Sequence, residues 1–371
     1  MGSKINMTKI LIELFDSSPE LGSVASILEV AEQLKAKGHN VYFCGSLKND
    51  FIKICEQKGL SNVPLNSISI SKIKFIQYAF NCGICLLKLK KLRPDVIIQN
   101  YNGWGQSLSL TAKILGIPVL ARAGTSYDSK NPSNKWINGY LAYNKFHARK
   151  LLNSPLADKV HITGHPFTPW HLTDGKNRSV RYTVDQEINF LFLGQLSERK
   201  GLTTLVKAFA QMKGTAKLQI IGGNWASEGY PQTVKRLIYD LRIEDRVELM
   251  NFQTDVQYWL SQAHAFVFPS RDDTHPRVIK EAMFIGLPII AANSGGIPEM
   301  IENNISGMLI ELDNIDALSD AMDKIASSNK LRQSLGEMAK KICQEKLHNN
   351  RAVDEYEEVI NKLINSDRKS I

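Results

Sequence analysis

No stretch of this sequence approaches the roughly 18 consecutive apolar residues that a membrane-spanning helix needs. Its opening, Met1 to Phe15, has no apolar core followed by a small-residue cleavage site. Both absences point to a cytoplasmic protein. Cysteine is scarce, with five residues of which only Cys82 and Cys85 stand close together. That usage suits a reducing compartment and excludes a disulfide framework. A single C-x-x-C without a second pair of ligands reads as helix packing rather than zinc or redox chemistry. No zinc-finger spacing, RNP-type aromatic run or basic-zipper heptad occurs, which argues against a nucleic-acid partner. The first loop lacks G-x-G-x-x-G, which argues against a nicotinamide dehydrogenase as well. Internal repeats and low-complexity tracts are absent.

What is present is an ordinary globular composition, 43% hydrophobic and 22% charged, over 371 residues. That length exceeds one core and predicts two domains. The net charge of +9 is uneven: residues 1–165 carry +11 and the remainder −2. A basic first half calls for an acidic partner, either an anionic membrane or a phosphorylated acceptor. Between Ser71 and Arg93 basic and apolar residues alternate (Lys72, Lys74, Phe75, Ile76, then Leu86, Leu87, Lys88, Lys90, Lys91). Two readings stand: a helix lying on an anionic membrane with its lysines snorkelling, or a core-packed helix with a solvated basic rim.

The most informative run is Phe266 to Ile301. Ala265 to Phe268 reads as a strand buried on both faces. A polar loop, Ser270 to Pro276, precedes a helix from Val278 to Phe284 that Gly286 and Pro288 stop. Leu287 to Ala292 is a second buried strand, and Asn293-Ser294-Gly295-Gly296 turns into another helix carrying Glu299. This βαβ unit places its polar residues at the carboxyl ends of strands, where open α/β sheets bind ligands. Asp273 and Glu281 are carboxylates suited to accept hydrogen bonds from hydroxyls. Taken singly, Glu281 also reads as a solvated helix acid and Asp273 as a helix cap. The Gly295-Gly296 amides at a helix start offer an anion site.

These residues resemble the signature of the retaining glycosyltransferases of family 4, which have the GT-B fold. The pattern stands here as Asp273, Glu281-Ala282-Met283, Gly286-Leu287-Pro288 and Gly295-Gly296-Ile297-Pro298-Glu299. Asp273-Thr274-His275-Pro276 replaces the usual Glu-Gly-Phe-Gly, and Pro276 removes one backbone donor. Gly194 to Gly201 resembles the family's Gly-Arg-Leu-x-x-x-Lys-Gly loop. Lys200 matches its diphosphate-binding lysine, Gln195 replaces its arginine, and Arg199 is a candidate to supply the missing charge.

The resemblance implies an α/β architecture of two Rossmann-like, doubly wound domains facing a central cleft. The expected limits are 1–165 for the acceptor-side domain, 166–187 for a linker, 188–350 for the nucleotide-sugar domain, and 351–371 for a helix returning to the first. It implies a retaining, metal-independent hexosyltransferase with a nucleotide-sugar co-substrate and no cofactor, UDP-sugars coming before GDP-mannose. Asp273, Lys200 and Glu281 are the expected catalytic residues. Gly22, Gln195, Arg199, Asn251, Thr274, His275, Gly295 and Gly296 complete the donor site, and Arg122, Asp128 and Asn102 stand on the acceptor side. The acceptor is expected to be a glycan or lipid-linked phosphate at the inner membrane face. A non-catalytic nucleotide-sugar-binding subunit and a same-fold epimerase are the alternatives.

Overall fold

The computed structural model describes residues 7–14, 17, 22–45, 47–63, 74–100, 105–122, 132–165, 167, 187–223, 229–347 and 349–368. The chain forms two compact units, Met1–Pro166 with Asn349–Ile371, and Phe167–His348. Of the segment expected as a linker, only Phe167 and Glu187 lie among the described residues.

In the first unit β1 (Lys9–Leu14), α1 (Gly22–Ala36), β2 (Asn40–Gly45), α2 (Asn49–Gln57), β3 (Ser61–Asn62) and α3 (Lys74–Leu92) follow in order. Then come β4 (Val96–Asn100), α4 (Gly105–Ile114), β5 (Val119–Arg122), β6 (Gly139–Ala142), α5 (Lys145–Leu152) and β7 (Val160–Ile162). The strands make one parallel sheet in the order β3-β2-β1-β4-β5-β6-β7. Consecutive apolar residues such as Ile10-Leu11-Ile12 and Ile97-Ile98 form its centre because helices cover both faces. Ile10, Ile12 and Ile98 pack with Val24, Ile27 and Val30 of α1. Leu11 and Ile97 pack on the other face with Leu89 of α3 and Leu108 and Ala112 of α4.

The second unit runs through β8 (Ile188–Leu193), α6 (Leu202–Gln211), β9 (Ala216–Ile221), α7 (Tyr230–Asp240), β10 (Val247–Met250) and α8 (Val256–Gln262). It continues with β11 (Ala265–Phe268), α9 (Arg277–Ile285), β12 (Ile289–Ala292), β13 (Met308–Ile310), α10 (Ile315–Ser327) and α11 (Asn329–Lys346). Its parallel sheet has the order β10-β9-β8-β11-β12-β13. All four residues of β11 and of β12 are buried, as their unbroken apolar runs require. The strand order reverses between β8 and β11, so the loops leaving these two strands face one crevice.

The last helix, α12 (Asn349–Arg368), belongs to the first unit. Val353, Tyr356 and Ile360 join the core cluster of Ile10 and Ile12. Lys37, just past α1, pairs with Asp354 and, at 2.6 Å, with Glu357. One expectation is corrected. The segment after Gly296 is a three-residue 3-10 turn, Ile297–Glu299, not a helix.

Candidate functional site

Two loops meet at the crevice between β8 and β11. Gly201 ends the first with φ +72°, and a Cβ there would stand 2.2 Å from the Pro269 carbonyl oxygen of the second. Only glycine permits that approach. The Arg271 N–H donates to the Arg199 carbonyl at 2.9 Å.

The stitched loops bring Asp273 against two cations. Lys200 Nζ donates to Oδ2 at 2.7 Å, and Arg199 Nη1 donates to Oδ1 at 2.8 Å. Ser270 Oγ donates to Oδ2 at 2.5 Å. The Lys200 and Asp273 side chains are only 11% and 14% exposed, whereas Arg199 is 47% exposed. Burial alone would push the Asp273 carboxyl up. The Lys200 and Arg199 charges, with the hydrogen bonds from Lys200 and Ser270, hold it below the usual carboxylate range. Burial lowers the Lys200 ammonium from its ordinary value, opposed by Asp273, and Arg199 lowers it further. The Lys200 ammonium also lies 4.9 Å from the centre of the Phe268 ring.

The helix-cap reading of Asp273 does not hold. The N-cap of α9 is Pro276, which makes no side-chain cap, and the Asp273 carboxylate is taken up by Lys200, Arg199 and Ser270. Gly295 and Gly296 shape this loop from behind. At φ +65°, a Cβ on Gly295 would lie 2.3 Å from the Asp273 carbonyl oxygen, and the Gly296 N–H donates to that oxygen at 2.7 Å. The expected pair of bare amides is therefore corrected: Gly296 spends its N–H on the Asp273 loop. The short turn behind it has no helix dipole to add.

Glu281 is not a solvated acid. It is buried in α9, where Arg277 one turn earlier donates from Nε to its Oε1 at 3.1 Å. The Arg277 guanidinium lies 5.5 Å from the centre of the Phe167 ring. The ammonium of fully buried Lys280 lies 5.4 Å from that same ring. Sequence reasoning passed over Arg277 and Lys280, although the i, i+4 spacing of Arg277 and Glu281 was a usable signal. Gln195 is partly exposed in the Lys200 loop, and Thr274 and His275 follow Asp273, also partly buried. Asn251 is exposed at the carboxyl end of the edge strand β10.

In the first unit, Arg122 is buried at the end of β5. It donates from Nη1 to Asn100 Oδ1 at 2.8 Å and from Nη2 to Ser26 Oγ at 3.1 Å, and lies 5.2 Å from the Tyr143 ring centre. Gly22 opens α1. Asn102 and Asp128, expected beside Arg122, lie outside the described residues. A polar chain that sequence reasoning missed crosses this sheet. Ser109 Oγ donates to Gln99 Oε1 at 2.9 Å, and Gln99 Nε2 donates to Glu13 Oε2 at 2.7 Å. Burial pushes the Glu13 carboxyl up to about 7, against the lowering effect of the Gln99 hydrogen bond. The signal was the lone acid in the run Ile10-Leu11-Ile12-Glu13-Leu14.

Cys82 Sγ lies 4.0 Å from the Ser107 carbonyl, and Cys85 is a free thiol pushed up to about 12 by burial; both serve the packing of α3 on α4. Among the described residues, no three His, Cys, Asp or Glu side chains gather into a group able to hold a metal ion.

Two Rossmann-like units, each built on one parallel sheet, have the architecture of the GT-B fold. Residues 175–342, most of the second unit, match the family model described as "Glycosyl transferases group 1". The chain is 26% identical over 188 residues to N-acetyl-alpha-D-glucosaminyl L-malate synthase of Bacillus anthracis, covering 50% of this chain and 48% of that one. It is 30% identical over 175 residues to the amylovoran biosynthesis glycosyltransferase AmsK of Erwinia amylovora, covering 44% and 41%. The match thus spans about half the length, or less, of these curated relatives. A glycosyltransferase from Rickettsia africae ESF-5 has the same fold, with a TM-score of 0.85 at 19% identity over 97% of this chain and 99% of that one.

Proposed function

We propose that this chain is a retaining, metal-independent glycosyltransferase of family 4. It moves a sugar from a nucleotide-diphosphate sugar to a glycan or lipid-linked acceptor in cell-surface polysaccharide synthesis. The observation that carries the reading is the convergence of Lys200, Arg199 and Asp273 at the switch point of the second sheet. In the reaction the bond from the anomeric carbon to the diphosphate oxygen breaks and a bond to the acceptor oxygen forms. The acceptor hydroxyl proton ends on the released diphosphate. Lys200 and Arg199 neutralise charge on that leaving group, Asp273 accepts from sugar hydroxyls near the anomeric carbon, and Glu281, steadied by Arg277, accepts from the ribose. Arg199 supplies the charge that Gln195 lacks, which favours an enzyme over a non-catalytic subunit.

The first unit is assigned the acceptor, with Arg122 at its strand ends. Leu87 and Ile114 are 72% and 66% exposed on α3 and α4, beside exposed Lys90, Lys91, Arg93 and Lys113. That mixture supports contact with an anionic membrane at the cytoplasmic face. Among the described residues no helix is long and apolar enough to cross a membrane.

Thermal melts with UDP-sugars first, then GDP-mannose and dTDP-sugars, identify the donor by the rise in Tm. With that donor, Asp273→Ala is expected to abolish turnover while the protein stays folded. A folded variant that transfers sugar at the wild-type rate would rule out the assigned role of Asp273.

A further inference from the structure

The salt bridge between Asp273 and the two cations has a consequence for what the site holds. Lys200 and Arg199 are the groups assigned to the donor diphosphate, and both are ion-paired with Asp273. A diphosphate that takes them must first draw them off a carboxylate that is only 14% exposed. Afterwards the Ser270 hydroxyl alone, among the three donors named above, still reaches that carboxylate. Leaving a buried charge short of partners is costly. A sugar attached to the diphosphate replaces the lost donors with its own hydroxyls. A bare nucleoside diphosphate does not.

Resting on the function proposed above, we infer that Asp273 makes the site discriminate between the sugar-loaded donor and the spent nucleoside diphosphate. It disfavours the second by reclaiming Lys200 and Arg199. Asp273 is then a specificity residue as well as a sugar-binding one. Once the sugar has left, the carboxylate loses its hydroxyl partners and competes with the product for the same two cations, which speeds product release. The geometry suits this exchange. The backbone of both loops is fixed by the Gly201–Pro269 approach and the Arg271–Arg199 hydrogen bond, so only side-chain tips need to move. Gly295 and Gly296 hold the Asp273 main chain in place throughout.

The test is isothermal titration of the full chain and of Asp273→Asn with UDP, UDP-glucose, GDP and GDP-mannose. Asn keeps the size of the side chain and removes its charge. The variant is expected to bind the bare diphosphate of the preferred base about ten- to a hundredfold more tightly than wild type, the range for one hydrogen bond to a charged group. Its preference for the sugar-loaded form should shrink by a similar factor. Should Asp273→Asn melt far below wild type, Asp273→Ser carries the same expectation. In steady state, the bare diphosphate should inhibit wild type weakly relative to donor affinity. Sugar transfer by wild type together with unchanged or weaker diphosphate binding by the variants overturns the discrimination role and leaves the functional reading standing. Failure of every nucleotide to bind wild type and variants alike removes both.

Discussion

Glu13 is the residue on which pH should act most visibly. Its ordinary carboxyl value of 4.5 is raised to about 7 in the folded chain. Between those values the folded state binds more protons than the unfolded one, so stability falls as pH rises from about 4.5 to about 7. The cost is complete above that window. Glu13→Gln keeps an acceptor oxygen for Gln99 and removes the charge. It is expected to raise the Tm of the first unit at pH 8 by about 6–12 °C, roughly 3 kcal/mol for a pKa rise of this size at about 2–4 °C per kcal/mol, and to leave it unchanged at pH 4, as read by calorimetry. An equal gain at both pH values would show that the effect is not the buried charge. Residues of this kind differ in how legible they were. The eight-position spacing of Asp273 and Glu281 stood out because a loop acid and a helix acid in one βαβ unit are read locally. The Arg199–Asp273 pair was not legible, since 74 positions separate its members and nothing local says that their loops touch.

Elements were legible where their apolar runs were long and unbroken. The strands at Phe266 and Ile289 and the helix containing Glu281 emerged within a residue or two of their limits. The weak elements did not. β6 is four residues with a glycine at its head, and that glycine is demanded by neighbours: a Cβ on Gly139 would lie 2.9 Å from Leu120 Cδ2. Its strand character comes from packing between β5 and β7, which no local pattern records. Among the helices, α12 is polar overall and owes its place to one buried stripe, with Val353 and Tyr356 fully buried and Ile360 nearly so. Tyr356→Ala is expected to destabilise the first unit by about 3–5 kcal/mol, the cost of emptying a large aromatic site, measured by urea denaturation. A loss below about 1 kcal/mol, the level of an ordinary surface change, would mean that α12 contributes little to that core.

The first unit is drawn from two separate stretches of the chain and the second from one. Residues 167–348 enclose one hydrophobic cluster of their own. They are expected to fold cooperatively when expressed alone. Residues 1–166 lack the stripe supplied by α12 and are expected to aggregate. Joining residue 166 to 349 through a short Gly/Ser linker should restore folding, since a Cβ on Gly164 would lie 3.6 Å from Ala352 Cβ. Solubility and melting curves of the three fragments check this, and equal behaviour of 1–166 with and without the helix would refute it.

The sequence alone determined that the chain is a two-part α/β protein with a ligand-binding βαβ unit, because burial on both faces of a parallel sheet writes unbroken apolar runs into the chain. It also marked Lys200, Asp273 and Glu281, because their turns and spacings are local. Only the tertiary structure decided that β8 lies beside β11, that Arg199 and Lys200 share one carboxylate, and that Gly296 gives its amide to the protein rather than to a ligand. Strand order and loop contact arise from packing between residues far apart in the chain, and no local pattern carries that information.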